Sequence, residues 1–546
     1  MMLKKSLLFL VTLVFIACGE YQDPSQKTSI EPEQNNSVTV TLSGKITYDF
    51  VPFKSGGRAG LDYNNISKKP VRGVMVEIID RAGKIVKKTK TDNLGHYAVT
   101  VTAKQVKVRV LAKLYQSKSS AKASWDFEVK DNTNRNALYV MDGKMANLGN
   151  KSTQTRNLNA SSGWNGTRYG STRVAAPFAI LDVIYQGVQK VVTAQSDAVF
   201  SPLNVFWSKK NIGASGDRSL GQIITSHYDG TALYILGAEN SDTDEYDAGI
   251  IAHEWGHYYE SQFSRADNIG GSHGVDDMLD MRVAFGEGFG NAFSSIIRDD
   301  PLYIDSIDTR QSSSFVVNLE TDNGARHKGW YSEGSIGRIL YDIYDKNEDT
   351  GDTLSLGFAK LHHLFIGAQK NTPAFTSIFT FITALKAENP EYASEIDAIT
   401  LSEDIQAIND IYGTGRANRA SQNANPLYSS LFVGNSVELV TNTSALGASA
   451  SAENKLGAYN FVKFKITSPG SYTLSVRTVD GSSLDPDFFL YTGASNLPIA
   501  QTEEPGTSDS ISQELSVGKY RMAIIIYDGA DVSRVSGRFK ITLKKN

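Results

Sequence analysis

Residues 250–260 read IIAHEWGHYYE, and the two imidazoles in that segment constrain the fold more than any other feature of the chain. His253 and His257 stand four positions apart. On an α-helix this spacing puts both rings on one face, about one turn apart. Both can then reach a single divalent ion, at about 2.0–2.1 Å if the ion is zinc. Glu254 lies about 100° around the helix from His253, close enough to take a proton from water beside such an ion. Ile250, Ile251 and Trp255 supply an inward face. Asp244, Glu245 and Asp247 put negative charge at the N-terminal approach, where the helix dipole favours it. The segment therefore asks for a helix and for a facing element that brings a third ligand.

A reactive zinc site uses three protein ligands and leaves one position for water. The extended pattern H-E-x-x-H-x-x-G-x-x-H is excluded, because Glu260 and Phe263 stand where its glycine and third histidine would be. In MRVAFGEGFGNAFSSII the apolar Val283, Phe289, Phe293, Ile296 and Ile297 predict a second helix. Glu287 and Asn291 share one face of it. Glu287 is the expected third ligand, and Asn291 the expected hydrogen-bond partner of a ligand histidine. Glycines 286, 288 and 290 each disfavour a helix by about 1 kcal/mol relative to alanine, and close approach of a neighbouring helix is the expected return. The rival ligands His273, Asp276, Asp277 and Asp280, in GSHGVDDMLD, read as loop residues or a cation-binding turn.

The pairing of HEWGH with a downstream GEGF helix resembles the gluzincin metallopeptidases, the fungalysin-like group in particular, over about 180–420. The resemblance implies a thermolysin-like α+β zincin domain, with a small sheet above the active-site helix and a helical lower lobe. It implies Zn2+ bound by His253, His257 and Glu287, with Glu254 as general base, and hydrolysis of peptide bonds in protein or peptide substrates. The family usually has Asp where Asn291 stands, so the charge behind the ligand histidine is absent. Fungalysin-like enzymes place an oxyanion-binding histidine at the position held here by Tyr331, in WYSEGSIG. Tyr331 is one candidate donor and His327 the other. His362 and His363 read as packing or surface residues, His227 as structural, and His96 as a strand residue. The strand around ALYILG is the expected edge for pairing with an extended substrate.

Both flanks of this region alternate apolar and polar residues at the period of β-strands. VEIIDRAGKIVKKTKTDNLGHYAVTV, within 38–145, resembles the Ig-like sandwich of carboxypeptidase-regulatory-like modules. Residues 146–170, rich in Asn, Ser, Thr and Gly, read as a linker, and 171–425 as the zincin domain. PGSYTLSV, DPDFFLY and GKYRMAIII, within 430–546, resemble the pre-peptidase C-terminal domain. The expected architecture is thus multidomain, an α+β zincin flanked by β-sandwiches. Asp485, Pro486 and Asp487 read as a solvated turn, with Ca2+ binding there the minor alternative.

Lys4 and Lys5 followed by the apolar run 7–17 predict an export signal too short to remain as a membrane span. The run ends at FIACG, which resembles a bacterial lipobox, with Phe15 in place of the usual leucine. The resemblance implies lipidation of Cys18, a tether over 18–37, and anchoring in the cell envelope facing away from the cytoplasm. Cys18 is the only cysteine, which excludes an internal disulfide and a thiolate zinc site. A formal charge of -4 over 546 residues offers no basic surface for nucleic acid. The chain is expected to act as a monomer. Two functional classes stay open at this level, an extracytoplasmic zinc endopeptidase and a surface-anchored binding protein whose zincin domain is structural or inactive.

Overall fold

The computed structural model describes residues 38–322, 324–346, 353–418, 425–443, 452–533 and 535–546. Cys18, the signal segment and the tether lie outside the described residues. Among the described residues no helix is long and apolar enough to cross a membrane. The chain is multi-sheet and largely β, with a helical middle.

The N-terminal part is organised by one long strand, Val38–Phe50. Its alternation buries Val40, Leu42, Ile46 and Tyr48. Its first half pairs antiparallel with His96–Ala103 and parallel with Thr153–Thr155; its second half pairs with Ser67–Pro70 and Leu158–Ala160. Residues 146–170 are therefore not a linker. Short polar strands in them close the first sheet, and their Asn/Ser/Thr composition conceals strands whose partner lies over a hundred residues upstream.

The second sheet crosses the expected boundary between the N-terminal module and the region after 171. Strands Val74–Asp80, Gln105–Gln116 and Trp125–Asp131 pair antiparallel in that order, and Leu203–Trp207 then adds in parallel to Trp125–Asp131. Ala232–Ile235 adds next in parallel, and His227–Tyr228 closes the edge. Ala232–Ile235 is thus covered on both sides, and the open edge is His227–Tyr228. A single hydrophobic core runs from this sheet pair into the helices.

The helix α1 (Ala176–Ala194) has Pro177 in its first turn, where the fixed φ suits a helix. It buries Phe178, Leu181, Ile184 and Val188 against the sheets. Its Asp182 is buried and accepts a hydrogen bond from the Tyr48 hydroxyl at 2.9 Å while pairing with Arg72. Behind α1 lies α2 (Ala248–Phe263), which carries both histidines of the motif. The approach is close, since a Cβ on Gly187 of α1 would stand 2.5 Å from the Trp255 ring. Next come α3 (Met281–Arg298) and α4 (Glu333–Tyr344). Asp280 caps α3 by accepting from the Arg282 amide at 2.9 Å, and Ser332 caps α4 by accepting from the Ser335 amide at 3.3 Å. Between α3 and α4 the hairpin Leu302–Ile307 and Ser313–Asn318 returns over the start of α2.

After 425 two further sheets share a separate core, drawing Val462, Ile466 and Ile524 from one sheet and Leu474, Val476 and Ile541 from the other. Asp485–Thr492 is a strand of this unit, so Asp485, Pro486 and Asp487 start a strand and do not form a turn. Among the described residues they join no set of three convergent ligands. The unit is packed on the helices. Arg521 is fully buried and donates to the carbonyls of Pro373 (3.3 Å) and Gly493 (2.6 Å), with its guanidinium over the Phe375 ring.

Asp182→Ala strands the Arg72 charge and the Tyr48 hydroxyl at the junction of sheet and helix. A loss of about 3 kcal/mol is expected, read as a lower urea midpoint. Asp182→Asn keeps an acceptor for Tyr48 and should fall between Asp182→Ala and the wild type.

Candidate metal centre

The floor of the cleft is made where α2 meets α3. His253 Nε2 and His257 Nε2 face each other at 3.0 Å. The Glu287 Oε2 atom lies 3.3 Å from each of them. Tetrahedral coordination at about 2.05 Å requires ligand atoms about 3.3 Å apart, so the three spacings fit one zinc ion. These residues form a set whose ligand atoms all lie within 4.8 Å of one another. The His253 Nδ1–H donates to Asn291 Oδ1 at 3.0 Å, which leaves Nε2 free to ligate. Asn268 donates to the other Glu287 oxygen at 2.8 Å and fixes the carboxylate plane.

Glycines on α3 make this convergence sterically possible. A Cβ on Gly290 would stand 2.7 Å from the His253 ring, and one on Gly288 would stand 2.4 Å from Ile336 of α4. Both distances are shorter than real contacts allow.

Electrostatics follow from the same packing. Burial alone would raise the Glu287 carboxyl, but His257, His253 and His273 overcome it and hold the group well below the usual carboxylate range. Glu254 shows the opposite balance. Burial pushes it up to about 7, with a contribution from Glu287 and partial relief from His253. Its Oε2 accepts from the Tyr228 amide at 2.8 Å, which ties the general-base candidate to the open sheet edge.

Tyr331 and His327 do not line the cleft of about 710 Å³ around these groups. The Tyr331 carbonyl instead accepts from the Leu279 amide at 2.8 Å, and its ring lies against Gly329 and the Trp330 indole. His273 occupies the wall where a donor is expected. Its Nε2 is 3.2 Å from Glu287 Oε2, and its Nδ1–H donates to the buried Glu333 carboxylate at 2.7 Å. Burial would lower its pKa, but Glu333 and Glu287 prevail and raise it to about 9. His273 sits in a Gly-Gly-Ser-His-Gly loop with no periodicity, so only its nearness to the motif along the chain points to it. Asp276, Asp277 and Asp280 face elsewhere: Asp277 pairs with Lys455 at 3.1 Å and Asp280 with Arg282 at 2.9 Å.

The loop carrying His273 is braced from the C-terminal unit. Asn454 donates to the carbonyls of Gly270 and Ser272 at 3.1 and 3.0 Å, and Lys455 Nζ donates to Ser272 at 2.7 Å. The Leu456 amide donates to Met278 at 2.8 Å, and Asp280 returns its own amide to Asn454 at 2.9 Å.

The remaining histidines have local partners. His227 stacks on Tyr234 with centroids 5.2 Å apart. His362 is buried, meets the Tyr259 hydroxyl at 2.7 Å, and has its pKa lowered by burial to about 4. His363 is exposed beside Glu388, and His96 is an exposed strand residue.

No protein-family model matches the chain, and no curated protein matches it. Solved structures match parts of it. The pre-peptidase C-terminal domain of collagenase from Bacillus anthracis is 14% identical over 21% of this chain and 94% of its own, with a TM-score of 0.17. CorA, a surface-associated copper-binding protein of Methylomicrobium album BG8, is 10% identical over 22% of this chain and 98% of its own, also with a TM-score of 0.17. Likenesses this weak carry no functional argument.

Asn291→Ala should weaken zinc binding by about 10–100-fold in competition with a chromogenic chelator. Asn291→Asp should restore binding or tighten it. Equal affinity in all three proteins would remove Asn291 from the metal centre.

Proposed function

We propose that the chain is a zinc-dependent endopeptidase acting outside the cytoplasm, with its catalytic unit a zincin and its N-terminus lipid-anchored through Cys18. The observation that carries this reading is the tetrahedral spacing of His253, His257 and Glu287 beside a carboxylate suited to act as base, Glu254. A zinc ion held there supplies Lewis acidity to a scissile carbonyl and acidifies water. The chain does the rest. Glu254, with a pKa near neutrality, takes a proton from water and later passes it to the departing amine. His273 lines the same cleft, its Nδ1–H held by Glu333 and its Nε2 3.2 Å from Glu287 Oε2, and it is the candidate to stabilise negative charge on the carbonyl oxygen. His227–Tyr228, at the open edge of the sheet, is the strand on which an extended peptide can lie. A binding role alone gives no reason for a base of raised pKa next to three convergent ligands.

Glu254→Gln should keep zinc near one equivalent and reduce casein cleavage by about 10²–10⁴-fold. Equal cleavage by both proteins would overturn the mechanism. His273→Ala should lower kcat about 10²-fold with little change in zinc content, and Tyr331→Phe should leave both intact. The reverse ranking would return the donor role to Tyr331.

A further inference from the structure

A second group of acids lies in the wall of the same cleft, apart from the zinc ligands. Asp242 and Asp244 flank the end of the short strand Asp242–Thr243, and Asp305 lies on the facing strand Leu302–Ile307. Asp242 is paired with Ile307, which puts Asp305 on the same side of the ribbon, two residues along. One carboxylate oxygen from each of the three lies within 4.8 Å of the others.

Their partners are too few for one buried and two half-buried acids. Asp244 is 2% exposed; one of its oxygens accepts from the Ser226 hydroxyl, and the other has no hydrogen-bond donor. One oxygen each of Asp242 and Asp305 is likewise buried without a donor. Among the described residues no Lys or Arg pairs with any of the three, and none lines the cleft. The neighbouring Asp247 differs, because both its oxygens are satisfied by Ser306, through the amide at 2.6 Å and the hydroxyl at 2.8 and 2.9 Å. Burial raises the carboxyls of Asp242, Asp244 and Asp305, the last to about 7, and repulsion from Asp242 adds to it at the other two. As carboxylates, three oxygens turned on one another without a donor cost several kcal/mol, which either a shared proton or a cation between them relieves.

We propose that Asp242, Asp244 and Asp305 bind a hard divalent cation, calcium by its preference for carboxylate oxygens, separate from the zinc centre. Calcium takes oxygen ligands at about 2.3–2.6 Å, which oxygens within this spacing can meet, and water completes its shell on the cleft side. The cation ties the strand before α2 to the hairpin strand that carries Tyr303, whose ring packs against His253 at 5.8 Å between centroids. It thus fixes the wall of the cleft without contributing to the bond-breaking step.

The full-length chain is freed of calcium with EGTA, reloaded with zinc, and dialysed against calcium; bound metal is counted, and Tm is read with and without calcium. Wild type should bind one more calcium than Asp242→Asn or Asp305→Asn, and calcium should raise its Tm by several degrees more than theirs. The milder Asp305→Glu should keep the ion with reduced affinity. Far-UV circular dichroism and a retained zinc equivalent show that each variant is folded. His253→Ala should lose zinc and keep the calcium response, which separates this site from the catalytic reading. Equal calcium counts in wild type and the Asn variants would overturn the proposal. So would unchanged calcium counts with a selective loss of cleavage beside Lys or Arg, since the acids would then be a subsite for a cationic side chain.

Discussion

The distance between α3 and its neighbours governs the cleft floor. Glu287 can reach the two imidazoles of α2 because Gly290 leaves room for the His253 ring, and α3 can lie against α4 because Gly288 leaves room for Ile336. Glycine at three alternate positions weakens the helix by about 1 kcal/mol each. Tertiary packing offsets that through Phe285, Phe289 and Phe293, which are almost fully buried. The polar side of α3 is thereby presented at van der Waals distance, and Asn291 and Glu287 act on the same histidine from successive turns.

Features that are local along the chain are legible in the amino-acid order itself. The spacing of His253 and His257 asks for a helix, and the apolar period of 283–297 asks for a second with Glu287 and Asn291 on one face. The outer strands follow from alternation. What is not legible depends on pairing between distant segments. Strand Leu203–Trp207 continues the sheet of the N-terminal module, so a boundary drawn from composition cuts through one sheet and one core. None of the three residues of Thr153–Thr155 is buried, so the strand is polar throughout and reads as a linker. His273 lies on an aperiodic loop and is placed by Glu333, sixty residues later. The donor role expected of Tyr331 rests on likeness of position alone, and its carbonyl and ring serve the packing under the loop instead.

The acids before α2 show how sequence and structure divide the same information. A cluster of Asp and Glu ahead of a helix suggests a favourable interaction with its dipole. In the fold they separate into distinct tasks. Glu245 pairs with Arg173, Asp247 receives the amide and hydroxyl of Ser306, and Asp242 and Asp244 turn toward Asp305. None caps α2 through its side chain. Composition supplies the charge, and tertiary packing decides which carboxylate meets Arg173, which meets Ser306 and which face one another.

The clamp of Asn454, Lys455 and Leu456 on residues 270–280 makes the last sandwich a structural part of the cleft and not an appended cassette. A protease nick or a recombination joint between the two units would leave His253, His257 and Glu287 in place on α2 and α3 and release the His273 wall. On the proposed peptidase reading, such a truncated form would hold metal yet turn over poorly, so metal content would be a misleading gauge of competence in any shortened version of this chain.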